Sequence, residues 1–200
     1  MARFPRSEVE EALGQWWQIG NVLEDWAAWT DQFVPDVFYH DYFWGPLHGR
    51  AEVDTWIHAV MKGVPEIYTV YDWHAIEDDV VVFHCQNRRD NPSSEGPEYW
   101  DFPGLSVIRY AGDGLWASEE DYWDRDGARR TSVEYAAACE RAGAFDSMQR
   151  MTRRHWPTNG PDWARTSRPP KPSWLGRDDL PGITKPKQLY ALLGREREIV

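Results

Sequence analysis

The spacing of apolar residues predicts helices in the first third of the chain. From Val9 to Ala27 they recur every three or four positions, which is typical of one long amphipathic helix or of two helices joined near Gly20 and Asn21. Ser7 and Glu10 have the spacing of a capping box at its start. The predicted elements of this part are the helical stretch from Val9 to Ala27, a strand from Val37 to Phe43, a loop from Trp44 to Gly49 and a helix from Arg50 to Lys62.

Strand patterns replace the helical spacing from Glu66 onward. The stretch Glu66–Ile76 is rich in Ile, Tyr, Val and Trp, and a meander of three strands is predicted between Asp79 and Asp124, with a hairpin turn at Ala111–Gly114. The order helix, strand, helix and four antiparallel strands predicts an α+β fold. We expect a conical barrel, in which N-terminal helices wrap a curved, mostly antiparallel sheet and enclose a pocket.

The C-terminal quarter of the chain differs in composition. Helices predicted from about Ser132 to Arg141, capped by Thr131 and Glu134, and around Asp146–Arg154 complete a domain that spans residues 1–152. Residues 153–200 form a Pro-rich tail in which one last helix is predicted at Lys187–Leu193.

The tail, residues 153–200, and the rest of the chain, residues 1–152 and called the body below, have net charges of opposite sign. Residues 1–152 contain 12 Lys and Arg against 28 Asp and Glu, whereas residues 153–200 contain 10 against 5. An acidic body with a basic tail favours a tail that lies across the pocket mouth or a dimer groove; a disordered tail is the alternative.

Composition narrows the class of protein. The chain has 200 residues, a formal net charge of −11, 13 Trp, 9 Tyr and 7 Phe. The negative charge argues against binding to nucleic acid, and we expect no membrane segment and no secretory signal, hence a cytoplasmic protein. Two cysteines are too few for a disulfide framework, and the histidines lack metal-ligand spacing, so no metal site is predicted.

Charged residues at the strand ends are the candidates for chemistry. Alternate residues of a strand share a face, so Arg88 and Asp90 point to one side and Arg89 to the other. We expect Asp41, Asp90 and Asp121 to converge at the open end of the barrel. The simpler interpretation is that Arg88 and Asp90 form an ion pair on a solvated face and that Glu119, Glu120 and Asp121 form a polar face.

Two motifs give the chain a family resemblance. The passage PDVFYHDYFWGPLHGR and the hairpin VIRYAGDGLWASEEDYWD resemble the SnoaL-like or nuclear transport factor 2-like superfamily over Val9 to Asp124. Within it the chain is most similar to limonene-1,2-epoxide hydrolase. That family has an Arg-x-Asp pair, an Asp followed by Tyr, and a water-binding Tyr, and the residues that match are Arg88 with Asp90, Asp121 with Tyr122, and Tyr39.

The resemblance implies a reaction without a cofactor. A protonated Asp90 would donate to an epoxide oxygen while an ionised Asp121 takes a proton from the attacking water. Arg88 would hold the two carboxyl groups, and Tyr39 and Asp41 would fix the water.

One departure from the hydrolase pattern leaves alternatives open. The hydrolases have Asn where this chain has Asp41, and an Asp there resembles the general base of ketosteroid isomerases. The isomerases' oxyanion-hole Tyr and Asp are replaced by Trp17 and Ser106. Three functions therefore stand: an epoxide hydrolase, a proton-transfer isomerase or polyketide-cyclase-like enzyme, and a non-catalytic hydrophobic-ligand or dimerisation module. In each we expect a small hydrophobic ligand and a homodimer.

Overall fold

The structure is a computed structural model and describes residues 3–145 and 154–196. All of the helix predicted around Asp146–Arg154 except its last residue lies outside the described residues. The helices are α1 (Arg6–Trp17), which continues as a π-helical turn (Gln18–Val22), α2 (Trp26–Thr30), α3 (Gly49–Gly63), α4 (Arg125–Ala142) and α5 (Pro186–Leu193). The strands are β1 (Phe33–Asp41), β2 (Gly45–His48), β3 (Ile67–Glu77), β4 (Val80–Asp90), β5 (Tyr99–Gly112) and β6 (Leu115–Trp123).

The six strands form one sheet in the order β2-β1-β6-β5-β4-β3. Neighbouring strands are antiparallel except β1 and β6, which are parallel. The predicted α+β fold, with a mostly antiparallel curved sheet and N-terminal helices, is confirmed. The parallel pair matters for the site, because it places Tyr39 beside Glu119 and Asp41 beside Asp121.

The core is built from aromatic rings between the helices and one face of the sheet. Trp16 on α1 is 2 % exposed, and its ring lies 5.5 Å from those of Trp29 and Phe83 and 6.4 Å from that of Trp116. Such tilted and edge contacts stabilise the core beyond the area that they bury. Most of the Trp excess therefore belongs to the interior.

Three local predictions were wrong, each because a cap or a turn differs from its sequence pattern. Pro5, and not Ser7, precedes α1, and no side chain caps that helix. The predicted loop between β1 and α3 contains strand β2, since Gly45 and Gly49 turn the chain at positive φ and leave Pro46 and Leu47 extended beside β1.

The start of α4 was also placed too late. The helix begins at Arg125, because the Asp124 side chain accepts hydrogen bonds from the backbone N–H groups of Asp126 (3.1 Å) and Gly127 (2.9 Å). Its end was predicted correctly, at Gly143 with φ of 63°. The earlier start carries the first turn of α4 over the cavity described below.

The described part of the tail packs on the body. The Trp163 ring contacts those of Trp17 and Tyr71, and Ile183 N donates to Ala59 O at 2.9 Å. Arg154 forms a buried ion pair with Glu24 at 2.7 Å. The basic tail thus contacts both the helices and strand β3 of the acidic body.

Within residues 3–145 and 154–196, we find no helix that is both long and apolar enough to cross a membrane.

Candidate active site

A cavity of about 1140 Å³ lies between the helices and the inner face of the sheet. Its wall is largely aromatic and aliphatic, with α2 and α3 on one side, the sheet on the other and the first turns of α4 at its edge. The apolar side chains that line it include Trp16, Trp26, Trp29, Phe43, Trp44, Trp56, Ile57, Val60, Met61, Phe83, Phe102 and Trp123. A cavity of this size and lining accommodates a ring-containing organic molecule.

Three carboxyl groups face this cavity from two neighbouring strands. Glu119 and Asp121 alternate along β6 and therefore share its inner face, and Asp41 lies beside Asp121 at the end of β1. Asp41 is 4 % and Glu119 2 % exposed. Among the described residues none of the three forms an ion pair with a Lys or an Arg.

Hydrogen bonds hold two carboxyl groups of this cluster, those of Asp121 and Asp41, in place. Asp121 accepts from the hydroxyl groups of Tyr39 and Ser106, one on each of its oxygens. Asp41 Oδ1 accepts from the backbone N–H groups of Phe43 (2.7 Å) and Trp44 (2.9 Å). Its Oδ2 accepts from Trp123 Nε1 at 3.0 Å. Asp41 Oδ1 is thereby oriented from the turn that follows β1, and Oδ2 is oriented from the end of β6.

Burial and mutual repulsion set the protonation of the cluster. Burial, then the charge of Asp121, raises the pKa of Asp41 to about 7, against the opposing effect of its three hydrogen-bond donors. The same two causes raise the pKa of Glu119 well above its usual range. Burial also raises the pKa of Asp121, although hydrogen bonds from Ser106, Tyr39 and Glu119 favour its ionised form.

The cluster therefore contains a proton acceptor and proton donors at neutral pH. Burial and the charge of Asp121 favour the neutral form of Glu119, three hydrogen bonds favour the anion of Asp121, and the pKa of Asp41 is raised to about 7. A carboxyl group that changes protonation near the working pH is suited to general acid–base chemistry.

The structure does not bring Arg88 and Asp90 into this site. The residues of β4 that line the cavity are Phe83, Cys85, Asn87 and Arg89. Since side chains alternate, Arg88 and Asp90 point to the opposite face of the sheet. The predicted grouping of Asp90 and Arg88 with Asp121 is thus not formed.

Arg88 and Asp90 have structural partners on that opposite face. Arg88 binds Asp101 through two hydrogen bonds of 2.7 Å, and its Nη1 donates to His155 O at 2.5 Å. Asp90 Oδ1 lies 2.6 Å from Tyr68 Oη and 2.9 Å from His155 Nδ1. Both residues therefore hold the start of the tail against the sheet.

Of the other predicted site residues, Tyr39, Asp41 and Asp121 do lie together at the cavity. Glu119 was missed, because its acidic run was interpreted as one polar face. The two-residue alternation along β6 was a signal that could have separated Glu119 and Asp121 from Glu120. Ser106 bonds to Asp121, whereas Trp17 belongs to the core.

A metal centre has no support in the part of the chain that the structure describes. No group of three His, Cys, Asp or Glu side chains there has the arrangement of a metal site.

Comparisons with known proteins agree with the fold. Residues 23–119 match the model of the SnoaL-like domain family. A candidate SnoaL-like polyketide cyclase from Jannaschia sp. CCS1 superposes with a TM-score of 0.51 at 17% identity, over 66% of this chain and 96% of its own. Another from Shewanella putrefaciens CN-32 gives 0.53 at 11% identity, over 66% and 88%. A comparison with curated proteins finds no match.

A third structure shares the fold without an assigned activity. It is an NTF2-like protein of unknown function from Burkholderia pseudomallei K96243, with a TM-score of 0.52 at 18% identity, over 62% of this chain and 96% of its own. These comparisons show no particular closeness to limonene-1,2-epoxide hydrolase. Residues 23–119 are thus similar to the SnoaL-like domain family, and the fold is similar to that of the SnoaL-like and NTF2-like structures compared.

Proposed function

We propose that the protein is a cofactor-independent acid–base enzyme that takes a proton from the carbon next to the carbonyl group of a hydrophobic compound, the first step of both isomerases and polyketide cyclases. The observation that carries this proposal is the carboxyl cluster of Asp41, Glu119 and Asp121 in the wall of an aromatic cavity. Three buried carboxyl groups without a counter-cation are costly for the fold, and clusters of this kind are common at functional sites.

Asp41 is the general base in this mechanism. Its Oδ2 accepts one hydrogen bond, from Trp123, and can take a proton from a carbon next to the carbonyl group. The C–H electron pair moves to the carbonyl oxygen and leaves an enolate. Asp41 then returns the proton to another carbon, so that the product is an isomer and Asp41 is regenerated.

Neutral groups of the same wall stabilise the enolate. The hydroxyl groups of Tyr39 and Ser106 each donate their one proton to Asp121 in the free protein, and in this mechanism one of them turns from Asp121 to donate to the enolate oxygen. The surrounding rings exclude water, which strengthens these interactions and protects the enolate.

Epoxide hydrolysis remains a second candidate because Tyr39 and Asp121 bond to each other. A water held by this pair could attack an epoxide. The acid would then have to be Asp41 or Glu119, since Asp90 lies on the other face of the sheet.

The experiment that tests the proposal is deuterium incorporation. Cyclic ketones such as 2-tetralone are incubated in deuterated water, and carbon-bound deuterium is followed by NMR for the wild type, Asp41→Asn and Asp90→Asn. We expect catalysed exchange by the wild type, a loss of at least 100-fold in Asp41→Asn and a rate close to wild type in Asp90→Asn. Equal rates with and without protein would contradict the proposal.

A parallel assay separates the hydrolase. Styrene oxide is incubated in oxygen-18 water, and labelled diol is measured by mass spectrometry. Diol formation without ketone exchange would replace the proposed function by epoxide hydrolysis. Ligand binding without either reaction would indicate the non-catalytic binding module.

A further inference from the structure

A second polar pair lies in the cavity, apart from the carboxyl cluster. Thr69 on β3 and Asn87 on β4 are direct partners in the sheet and both line the cavity. Both are only partly buried. Neither side chain forms a hydrogen bond with another described residue, so an amide and a hydroxyl group face the cavity with their hydrogen-bonding capacity free.

Arg89, the next residue of β4 that faces the cavity, already has hydrogen-bond partners among the described residues, unlike Asn87 and Thr69. Its Nη1 and Nη2 donate to Thr131 Oγ1 (2.6 Å) and Ser132 Oγ (2.9 Å), and its Nε lies 3.7 Å from Glu66 Oε1. These contacts join the end of β4 to α4 and to the residue that precedes β3. The arginine thus has a structural role at the cavity edge, which leaves Asn87 and Thr69 as the polar groups that a ligand can use on this wall.

The position of the Asn87 amide relates it to the carboxyl cluster. A Cβ atom added at Gly104 would lie 3.0 Å from Asn87 Nδ2, so the amide lies over the central strand β5. Ser106, which bonds to Asp121, is two residues further along the same face of β5, a separation of about 7 Å. Because Gly104 has no side chain, the space between the Asn87 amide and the Ser106 hydroxyl group is open.

The wall between these points is formed by Cys85 and Gly104, which are paired across β4 and β5. Phe83 and Phe102 line the cavity from β4 and β5, and Trp123 lies beside Gly104 on β6. A pair of fused six-membered rings fits such a gap. A ligand that spans it presents one end to Asn87 and Thr69 and the other to Asp41 and Asp121.

We propose that Asn87 and Thr69 form a specificity-determining subsite that binds a carbonyl or hydroxyl oxygen of a fused-ring substrate. This inference rests on the proposed function for the position of the reacting carbon, which lies at the opposite end of the rings. Both side chains line the cavity and are partly exposed, so they are accessible to water in the free protein. An unsubstituted ring system that displaces water from them leaves their hydrogen bonds unmade, whereas an oxygenated one replaces those bonds.

The test compares two probes that differ by one hydroxyl group, 2-naphthol and naphthalene, by isothermal titration calorimetry. Wild type is expected to bind 2-naphthol more tightly. Asn87→Leu and Thr69→Val, which keep the approximate side-chain size, are each expected to lower 2-naphthol affinity about fivefold and to leave naphthalene affinity unchanged or higher.

The matched control is Gln86→Leu, which makes the same amide-to-leucine change at the neighbouring position of β4 on the opposite face. It is expected to alter neither affinity. Far-ultraviolet circular dichroism confirms that each variant is folded. Equal loss of both probes in Asn87→Leu, no loss of 2-naphthol affinity, or no preference in the wild type would each overturn the subsite.

Binding is measured without turnover, which separates this inference from the proposed function. Asp41→Asn is expected to retain the preference for 2-naphthol although it lacks exchange activity. If that preference disappears in Asp41→Asn and persists in Asn87→Leu, the hydroxyl group is bound by the carboxyl cluster, and the subsite proposal is wrong.

Discussion

Asp41 illustrates how one side chain can be favourable for chemistry and unfavourable for stability. It accepts three hydrogen bonds at the end of β1, yet it is buried beside a second carboxyl group. Its pKa is raised from 3.8 to about 7. The folded protein therefore binds this proton more tightly than the unfolded chain does, and the resulting stabilisation is present below pH 3.8 and lost as the pH rises to 7.

The first prediction concerns Asp41→Asn and stability. The variant lacks the penalty of a buried charge, so its free energy of unfolding relative to wild type should increase by roughly 2–3 kcal/mol between pH 5 and pH 8. Urea unfolding at the two pH values measures this difference. Asp36→Asn, at an exposed position of β1, is the control and should show no such change. A pH-independent difference for Asp41→Asn would contradict the assigned pKa direction.

Gly104 provides a second prediction, because its missing side chain keeps the cavity continuous. An alanine Cβ would lie 3.0 Å from Asn87 Nδ2 and 3.1 Å from Cys85 Sγ, closer than nearly all such contacts. Gly104→Ala should therefore displace the Asn87 amide and weaken 2-naphthol binding severalfold, with a smaller effect on naphthalene. Calorimetry measures both affinities, and identical affinities for the variant and wild type would show that the amide lies elsewhere.

The sequence allowed part of the site to be predicted. Tyr39, Asp41 and Asp121 were identified from strand positions and motif similarity, and they do converge. Alternation showed that Arg88 and Asp90 share a face, but it cannot say which face is inward. That is decided by the packing of β4 against α1, where Phe83 contacts Trp16, a tertiary contact that a strand pattern does not contain.

Among the elements, the long helices and strands followed from periodicity, and their ends did not. The start of α4 depends on which of several Asp and Thr side chains caps it, and Asp124 does so instead of Thr131. Strand β2 is short and contains Gly and Pro, so its pairing with β1 comes from tertiary context. Of these two elements, α4 lines the edge of the cavity, so the edge was harder to predict than the sheet that forms its floor.

The start of the tail gives a third prediction. His155 is held by Asp90 and by Arg88, so Asp90→Asn should weaken the docking of this segment while leaving proton transfer close to wild type. Limited trypsin digestion should then cleave after Arg165 several times faster than in wild type. Glu95→Gln, in the exposed loop before β5, serves as the control. Unchanged cleavage of Asp90→Asn would mean that the ring contacts of Trp163 suffice to hold the tail.

The outer face of the sheet leads to a prediction about assembly. Phe38, Tyr42 and Tyr122 are 42 %, 49 % and 40 % exposed, and the Tyr42 and Tyr122 rings stack at 4.3 Å. Exposed aromatic residues in one area are typical of an interaction surface. The expected homodimer remains a prediction, and we propose that it forms through this face.

Sedimentation velocity tests the dimer. Tyr42→Asp should weaken self-association at least tenfold, since a charge would have to be buried in an apolar interface. Val133→Asp on α4, a residue that is 67 % exposed, is the control and should sediment as wild type does. A monomeric wild type at high micromolar concentration, or a dimer that survives Tyr42→Asp, would exclude this face.

The most direct test of the proposed chemistry is the pH dependence of ketone exchange. Because only the ionised form of Asp41 accepts a proton, kcat/KM for deuterium incorporation should rise with pH and level off above an apparent pKa of about 7. Asp41→Glu, which keeps a carboxyl group, should retain some activity with a shifted profile. A wild-type profile that is flat from pH 5 to 9, or that persists in Asp41→Asn, would contradict the assignment of Asp41 as the base.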